Sequence, residues 1–189
     1  MGKAGRDELG VETEVKVKIE DVDDFCRQLE KLNPEILSAR HFEDNFLLDF
    51  PDEKLASGRC LLRIRFAGGQ RILTFKGPPH SNGIFKTREE LETPIESGET
   101  LLQIFEKLGM LVTFRYQKFR REFTLETVHV AVDETPIGNY AEFEGSEEGI
   151  RFLASRMGFP ESSFIRLSYY SLHLEYCGKM GREPDFMIF

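Results

Sequence analysis

Apolar and polar residues alternate along a short segment near the start of the chain. Residues 11–19 place Val15 and Val17 on one face and put charged side chains on the other, at Glu12, Glu14 and Lys16. Successive side chains of a β-strand point to opposite faces, and β-branched residues favour strands. The pattern therefore predicts a strand over residues 11–19. Its two carboxylates would lie about 7 Å apart along the strand, at ~3.4 Å per residue.

Similar alternation predicts seven further strands, over residues 42–50, 60–66, 71–76, 85–92, 112–125, 128–133 and 140–144. Gly68-Gly69 lies between two of them and is typical of a hairpin turn. The strands follow one another with little sign of parallel crossover connections. Antiparallel strands in this number favour a closed barrel, because closure removes exposed strand edges.

Helical spacing of apolar residues separates some of these strands. Helices are predicted after the capping residue Asp21, over residues 98–108, over 147–157 and over 167–176. The second helix is expected to bury its apolar side chains, which are Leu101, Ile104, Phe105 and Leu108. No Pro- or Ser-rich linker divides the chain. We predict an α+β fold with one domain over residues 10–178, an eight-stranded barrel with helices outside, and tails at 1–9 and 179–189.

Composition and charge limit the classes of function. The 189 residues include 25 Lys and Arg against 33 Asp and Glu, giving a net charge of −8. This balance argues against a general nucleic-acid-binding surface but does not exclude a buried basic site. The cysteines Cys26, Cys60 and Cys177 have no CxxC spacing, so a disulfide framework or a thiolate zinc site is not expected. Without a membrane-length apolar run, a cytoplasmic location without membrane attachment is expected.

The charges on the predicted strands are sorted by type. A Glu-x-Glu pair occurs three times, at positions 12/14, 90/92 and 142/144, and basic pairs occur at 63/65 and 118/120. A sandwich with its charged faces in solvent is the usual interpretation of any single strand of this kind. However, the amphipathic helices need apolar strand faces to cover. Helices outside a barrel would leave the charged faces pointing inward.

A barrel interior of this kind would hold many charges of both signs. The acids are Glu12, Glu14, Glu90, Glu92, Asp133, Glu142 and Glu144, and the bases are Lys16, Arg63, Arg65, Lys76, Arg88, Lys118 and Arg120. Burying isolated charges costs on the order of several kcal/mol each, so they would not persist in a dry core. A wet tunnel for a highly charged ligand with metal ions is the better explanation. Carboxylate oxygens suit Mg²⁺ or Mn²⁺, and Arg and Lys suit phosphate oxygens.

The motifs follow an order that resembles the CYTH family, the triphosphate tunnel metalloenzymes. The segment ETEVK at 12–16 resembles the family's ExExK strand, LRIR at 62–65 its LRxR strand, and LTFKG at 73–77 its lysine strand. REELE at 88–92 resembles RxExE, KFR at 118–120 resembles KxR, and Asp133 matches the late aspartate. GNYAEFE at 138–144 resembles the closing GxxxExE motif. ExExK alone is a weak motif, but the ordered set is specific.

The resemblance implies a tunnel fold in which basic residues bind phosphate and acidic residues bind metal. The implied phosphate-binding residues are Lys16, Arg63, Arg65, Lys76, Arg88, Lys118 and Arg120. The implied ligands of one or two divalent ions, Mg²⁺ or Mn²⁺, are Glu12, Glu14, Asp133, Glu142 and Glu144. Lys76 and Glu144 are the predicted catalytic residues. Glu90 and Glu92 either bind metal through water or orient basic neighbours, and both options stay open.

The resemblance implies a small-molecule triphosphate as partner, which is inorganic triphosphate, ATP or thiamine triphosphate. Metal-dependent triphosphate hydrolysis is the predicted activity. The alternatives are a class IV-type adenylyl cyclase that makes cyclic AMP and pyrophosphate, and a triphosphate-binding barrel without turnover. The turn at 135–138 and the Ser168-Tyr169 pair resemble cyclase-like members, although Ser168-Tyr169 is expected mainly to pack. A His-Phe pair before ExExK and a Trp suited to thiamine are both lacking. A homodimer is a candidate assembly.

Overall fold

Eight antiparallel strands close into a barrel in the computed structural model, which describes residues 10–80 and 83–189. The strands are β1 (Val11–Ile19), β2 (Glu35–Asp49), β3 (Leu61–Ala67), β4 (Gln70–Lys76), β5 (Lys86–Pro94), β6 (Leu111–Leu125), β7 (Val128–Thr135) and β8 (Gly138–Glu144). The helices are α1 (Val22–Glu30), α2 (Lys54–Ser57), α3 (Gly98–Lys107), α4 (Glu147–Arg156) and α5 (Tyr169–Met180). Around the barrel the order is β1-β5-β4-β3-β2-β6-β7-β8. The predicted fold class is confirmed, while the predicted tail over residues 1–9 lies outside the described residues.

Polar caps set the starts of four helices. Asp21 accepts a hydrogen bond from the Asp24 N–H at 2.8 Å, and Ser97 and Ser146 cap α3 and α4 in the same way. Ser168 caps α5 through the Ser171 N–H at 3.1 Å, so this helix begins at Tyr169 rather than at the predicted residue 167. A cap oxygen satisfies a backbone N–H that the first turn leaves without an intrahelical partner.

Strand β2 begins seven residues before its predicted start at residue 42. Its first half pairs with the far half of β6 across two register shifts. Ile36 and Leu37 in this half are 64% and 50% exposed. Because neighbouring apolar residues break the period of two, alternation does not reveal this part of the strand.

Apolar side chains form cores on the outside of the barrel, between the strands and the helices. Helices α1 and α4 cover β1, β7 and β8, and the buried residues there include Val17, Leu29, Phe143 and Leu153. Helix α3 packs over β3 and β4 through Leu101 and Phe105, but Ile104 and Leu108 are exposed, contrary to prediction. The strands therefore turn their apolar faces outward and their charged faces inward. This arrangement excludes the sandwich with charges in solvent.

Two segments that follow the last strand complete the barrel wall. The backbone of Lys16 on β1 exchanges hydrogen bonds of 2.9 and 2.8 Å with Ile165, beyond the point where β1 pairs with β5. Met187 forms a parallel bridge to β6 through bonds of 2.8 and 3.0 Å with Gln117 and Arg115. No helix among the described residues is long and apolar enough to cross a membrane.

Candidate active site

A cavity of about 80 Å³ inside the barrel is lined mainly by charged side chains. Its acids are Glu12, Glu14, Glu90, Glu92, Glu142 and Glu144, and its bases are Lys16, Arg63, Arg65, Lys76, Lys86, Arg88, Lys118 and Arg120. Every charge predicted for the interior lines this cavity except Asp133. The strand register thus gathers charges that are up to 132 positions apart in the sequence, from Glu12 to Glu144.

The first cluster centres on Glu14, which faces β5 on one side and β8 on the other. Lys86 Nζ lies 3.0 Å from Glu14 Oε1, and Lys16 Nζ lies 3.6 Å from the same oxygen and 3.1 Å from Glu142 Oε1. Burial raises the pKa of Glu14, but Lys16 and Lys86 outweigh burial and hold that pKa well below its usual range. Burial likewise raises the pKa of Glu142, but Lys16 and Arg120 outweigh burial and hold it well below its usual range, so both carboxylates are ionised at neutral pH.

The second cluster joins β1, β4 and β5. Lys76 Nζ is ion-paired with Glu90 and lies 3.5 Å from Glu12 Oε2. Burial and the neighbouring Glu12 carboxyl raise the pKa of Glu90 to about 7, against the opposing effect of Lys76. Lys76 is thus held between two carboxyl groups, one of which titrates near neutral pH.

Glu92 organises two of the arginines. Its Oε1 atom accepts hydrogen bonds from Arg63 at 3.3 Å and from Arg65 at 3.2 Å. Thr74 donates to the same oxygen at 3.0 Å. This geometry supports the option in which Glu92 orients basic neighbours, because a carboxylate fixes the planar guanidinium group.

Asp133 lies behind the cavity wall and is fully buried. It accepts hydrogen bonds from Lys118 at 3.0 Å, from Arg120 at 2.7 and 2.6 Å, and from the Tyr169 hydroxyl at 2.5 Å. Burial and then Asp133 raise the pKa of Tyr169 well above its usual value, so this hydroxyl stays protonated. Asp133 positions two phosphate-binding candidates, and its assignment as a metal ligand stays a prediction.

Several interior residues were not among the predicted site residues. Glu43 on β2 is 2% exposed and lies 3.5 Å from Lys118 and 3.7 Å from Arg65. Glu43 and Asn45 are two positions apart and share the inward face of β2, and this period of two was the sequence signal for Glu43. Asp44 between them faces outward and pairs with Arg115.

Two further residues line the tunnel, and a third, His129, contacts one of its lining carboxylates. Lys86 shares the inward face of β5 with Arg88 but stands before the family motif, so the motif did not include it. Tyr169 packs against Tyr116 and Tyr140, as the packing prediction implies, and it also lines the cavity. His129 lies 3.3 Å from Glu122 and 3.9 Å from Glu144.

The carboxylates suit a hard divalent ion in their chemistry. Four of the five predicted ligands line the cavity, at Glu12, Glu14, Glu142 and Glu144. Glu14 and Glu144 are direct cross-strand partners, which brings their Cβ atoms to about 5 Å. Within the described ranges no three acidic, histidine or cysteine side chains converge on one point, because carboxylates turn toward lysine and arginine. The donor set fits Mg²⁺ or Mn²⁺, and binding requires these ion pairs to rearrange.

Comparison of this chain with known proteins finds a matching family model and a related sequence. The family model for the CYTH domain matches residues 10–153. A Methanocaldococcus jannaschii protein named "Putative adenylate cyclase" is 31% identical over 174 residues, which cover 86% of this chain and 98% of that protein.

Two solved structures share the fold. A protein from Vibrio parahaemolyticus, also described as a putative adenylate cyclase, is 20% identical with a TM-score of 0.79, over 87% of this chain and 98% of that one. A Hippeastrum protein, described as a putative adenylyl cyclase with a dominant triphosphatase activity, is 18% identical with a TM-score of 0.64, over 92% of this chain and 96% of that one. With the family match over most of its length and a charged tunnel that carries the family's motifs, this chain belongs to the CYTH family.

Proposed function

We propose that this protein is a Mg²⁺- or Mn²⁺-dependent triphosphatase that binds its substrate inside the tunnel. The observation that carries the proposal is one cavity inside the barrel that is lined by eight basic and six acidic side chains. Binding a triphosphate requires the bases. The carboxylates add a function that binding alone does not need, which argues against a tunnel without turnover.

Basic side chains hold the phosphates in this proposal. The seven predicted residues, Lys16, Arg63, Arg65, Lys76, Arg88, Lys118 and Arg120, are joined by Lys86. Glu92 holds two of the arginines and Asp133 holds Lys118 and Arg120, so these four donors are already oriented. Fixed donors stabilise a charged transition state better than mobile ones, because they need little reorganisation.

Metal binding is assigned to Glu12, Glu14, Glu142 and Glu144, and Asp133 acts from behind the wall. When bound, a divalent ion neutralises charge and polarises the phosphoryl oxygens. Lys16 lies between two of these carboxylates, so it keeps both ionised and close together until the substrate arrives.

Hydrolysis requires water to attack the terminal phosphorus. A new P–O bond forms while the bond to the bridging oxygen breaks, and diphosphate leaves with that electron pair. Lys76, held beside Glu90 and Glu12, would stabilise charge on the phosphoryl group. Glu144 would orient the attacking water and accept its proton.

Cyclisation of ATP is the second candidate, and the name of the Methanocaldococcus jannaschii relative favours it. Here the ribose 3′-hydroxyl attacks the α-phosphorus, a new P–O bond forms, and pyrophosphate leaves. The charged tunnel serves both reactions, because each needs bases along the phosphates and charge neutralisation by metal. The nature of the products separates the two.

The test is product analysis after incubation with Mg²⁺ or Mn²⁺ and, separately, inorganic triphosphate, ATP and thiamine triphosphate. We expect inorganic phosphate as a product. Cyclic AMP with pyrophosphate would instead establish the cyclase. Saturable binding without any product would overturn both reactions and leave the binding barrel.

Two substitutions test the acidic cluster. Glu142→Gln and Glu144→Gln should each lower metal-dependent turnover by about 100-fold or more, since each removes a charged donor from the site. Glu134→Gln is the matched control, because Glu134 is on β7 but pairs with Arg40 on the outside of the barrel. Turnover that survives both inner substitutions would show that the metal assignment is wrong.

A further inference from the structure

A buried amide without a hydrogen-bond partner lies on the inner wall of the barrel. Asn45 on β2 is 0% exposed, and among the described residues neither its Nδ2 nor its Oδ1 atom has a hydrogen-bond partner. Nearly all buried polar side-chain atoms of proteins are hydrogen-bonded, because an unpaired one lowers the stability of the fold. An amide with both atoms unpaired therefore points to a ligand that pairs with it.

Strand alternation directs the Asn45 side chain into the barrel. Its neighbours along β2 face outward, since Asp44 forms an ion pair on the outer face and Phe46 packs edge-on against an aromatic ring of β3. Side chains two positions apart share a face of a strand. Leu47, two positions after Asn45, lines the tunnel cavity. The amide thus belongs to the wall that surrounds the tunnel.

The residues directly across from Asn45 belong to the basic part of this wall. Its strand partners are Arg65 on β3 and Tyr116 on β6, and both line the tunnel cavity. Side chains opposite each other on neighbouring strands have Cβ atoms roughly 4.5–5.5 Å apart. Lys118, two positions after Tyr116, lines the cavity as well. Asn45 itself does not line it, so the amide lies immediately behind two phosphate-binding candidates.

Other neutral polar groups of the interior already have partners. The Thr74 hydroxyl accepts a hydrogen bond from Arg63 at 3.2 Å and donates one to Glu92 at 3.0 Å. The Tyr116 hydroxyl accepts from Arg63 at 3.3 Å. The charges of the tunnel thus satisfy these hydroxyl groups, whereas the Asn45 amide keeps its hydrogen-bonding capacity unused.

The basic side chains next to Asn45 are held loosely from β2. Arg65 Nη1 lies 3.7 Å and Lys118 Nζ lies 3.5 Å from the Glu43 carboxylate, and both distances exceed the usual length of a hydrogen bond. A phosphoryl group in the tunnel would compete with Glu43 for both cations, because it also carries negative charge. Movement of either cation toward the phosphoryl group opens space in front of the amide.

We propose that Asn45 binds the phosphoryl group that Arg65 and Lys118 hold. Its Nδ2 atom donates a hydrogen bond to a phosphate oxygen, and its Oδ1 atom accepts one from the basic side chain that the phosphate draws inward. Both polar atoms thus gain partners only when a triphosphate fills the tunnel. The inference rests on the proposed function and adds a binding residue on β2, a strand that carries none of the predicted site residues.

The first test is the isosteric substitution Asn45→Leu, which keeps the approximate shape of the side chain and removes both polar atoms. It should lower kcat/KM for inorganic triphosphate roughly 10- to 100-fold, the effect of losing one hydrogen bond to a charged group. Asn45→Asp replaces the donor by a negative charge and should lower kcat/KM at least as far. An unchanged kcat/KM in either variant would overturn the inference.

Thermal unfolding separates a binding role of the amide from a structural one. Asn45→Leu should unfold at the wild-type temperature or above it, because it removes buried polar atoms that have no partner. Thr74→Val is the contrasting variant, since it removes a hydroxyl that is hydrogen-bonded. We expect its midpoint to fall by at least about 2–4 °C. An equal fall in Asn45→Leu would overturn the inference, because the amide would then be part of the structural network.

Asn139→Leu is the matched control for activity. Asn139 on β8 does not line the tunnel cavity, and its amide donates to the backbone carbonyl of Glu20 at 3.3 Å. This variant should keep kcat/KM within about twofold of the wild-type value, as is usual for a substitution away from the site. An equal loss in Asn139→Leu and Asn45→Leu would overturn the inference.

Absence of turnover in the wild-type protein would instead reject the proposed function. The inference is then decided by the calorimetric affinity for inorganic triphosphate in the presence of Mg²⁺. Binding that weakens roughly 10-fold or more in Asn45→Leu would support it. Equal affinities, or no binding by the wild-type protein, would overturn it.

Discussion

Asp133 shows at the scale of one residue how the tunnel keeps its charges in place. Its carboxylate is fully buried and accepts hydrogen bonds from Lys118, Arg120 and Tyr169. A buried charge pair is expensive to break, because the remaining partner stays desolvated without its counter-charge. The sequence motif predicts a metal ligand here, and that assignment stays a prediction. The motif reveals the residue type but not the three hydrogen-bond donors around it.

Replacement of Asp133 by Asn should destabilise the fold strongly. We expect a loss of roughly 3–5 kcal/mol in the free energy of unfolding, because Lys118 and Arg120 lose a buried counter-charge. Denaturant titration measures this loss as a lower unfolding midpoint, with an m-value equal to that of the wild-type protein.

Asp44→Asn is the matched control for this substitution. Asp44 pairs with Arg115 on the partly exposed outer face of the barrel, so we expect a loss below about 1 kcal/mol. A similar small loss for Asp133→Asn, combined with weaker metal binding, would show that Asp133 is a ligand rather than a positioning residue.

Individual elements follow the sequence pattern where their two faces differ in polarity. Alternation located β1 and β3 because one face packs under helices and the other lines the tunnel. It missed the first half of β2, where both faces are largely exposed. It also missed Glu43 as a site residue, because its basic partners Lys118 and Arg65 come from β6 and β3. Such partners are fixed by strand register, which a single sequence does not display.

The segment after α5 shows how a short element can complete a wall. Met187 is 1% exposed, bridges to β6 and shares a buried core with Tyr116 and Tyr169, both of which line the tunnel. His173 on α5 holds the same segment through the carbonyl oxygen of Asp185 at 2.8 Å. The division between the domain and a tail at residue 179 stays a prediction, and these contacts supply a test of it.

Met187→Ala should lower the free energy of unfolding by about 2–5 kcal/mol, the usual loss for a large side chain removed from a core. Ile188→Ala should change it by less than about 0.5–1 kcal/mol, because Ile188 beside it is 42% exposed. Thermal or denaturant unfolding of both variants measures whether the segment after α5 contributes to the stability of the domain. Equal effects would mean that this segment is a dispensable tail.

The whole molecule combines a negative net charge with a tunnel lining in which basic side chains outnumber acidic ones. The chain carries −8 overall, yet eight basic and six acidic side chains line the tunnel cavity. Closing the barrel is what makes this separation stable, since the apolar faces of β1, β3, β7 and β8 pack under helices outside. In the proposed function, an anionic substrate with its metal replaces the internal ion pairs with new ones. The order of motifs predicted this architecture, whereas the placement of α5 against the barrel, with the Tyr169 hydroxyl on Asp133, was not predictable.

The most direct test of the account is phosphate release from a triphosphate as metal is removed and restored. Protein treated with a chelator and dialysed is mixed with ATP or inorganic triphosphate, and inorganic phosphate is followed while Mg²⁺ or Mn²⁺ is titrated back. We predict no release without metal and restored release with it, and no restoration in Glu144→Gln. Release that continues at full rate without metal would contradict the account, as would tight triphosphate binding that never yields product.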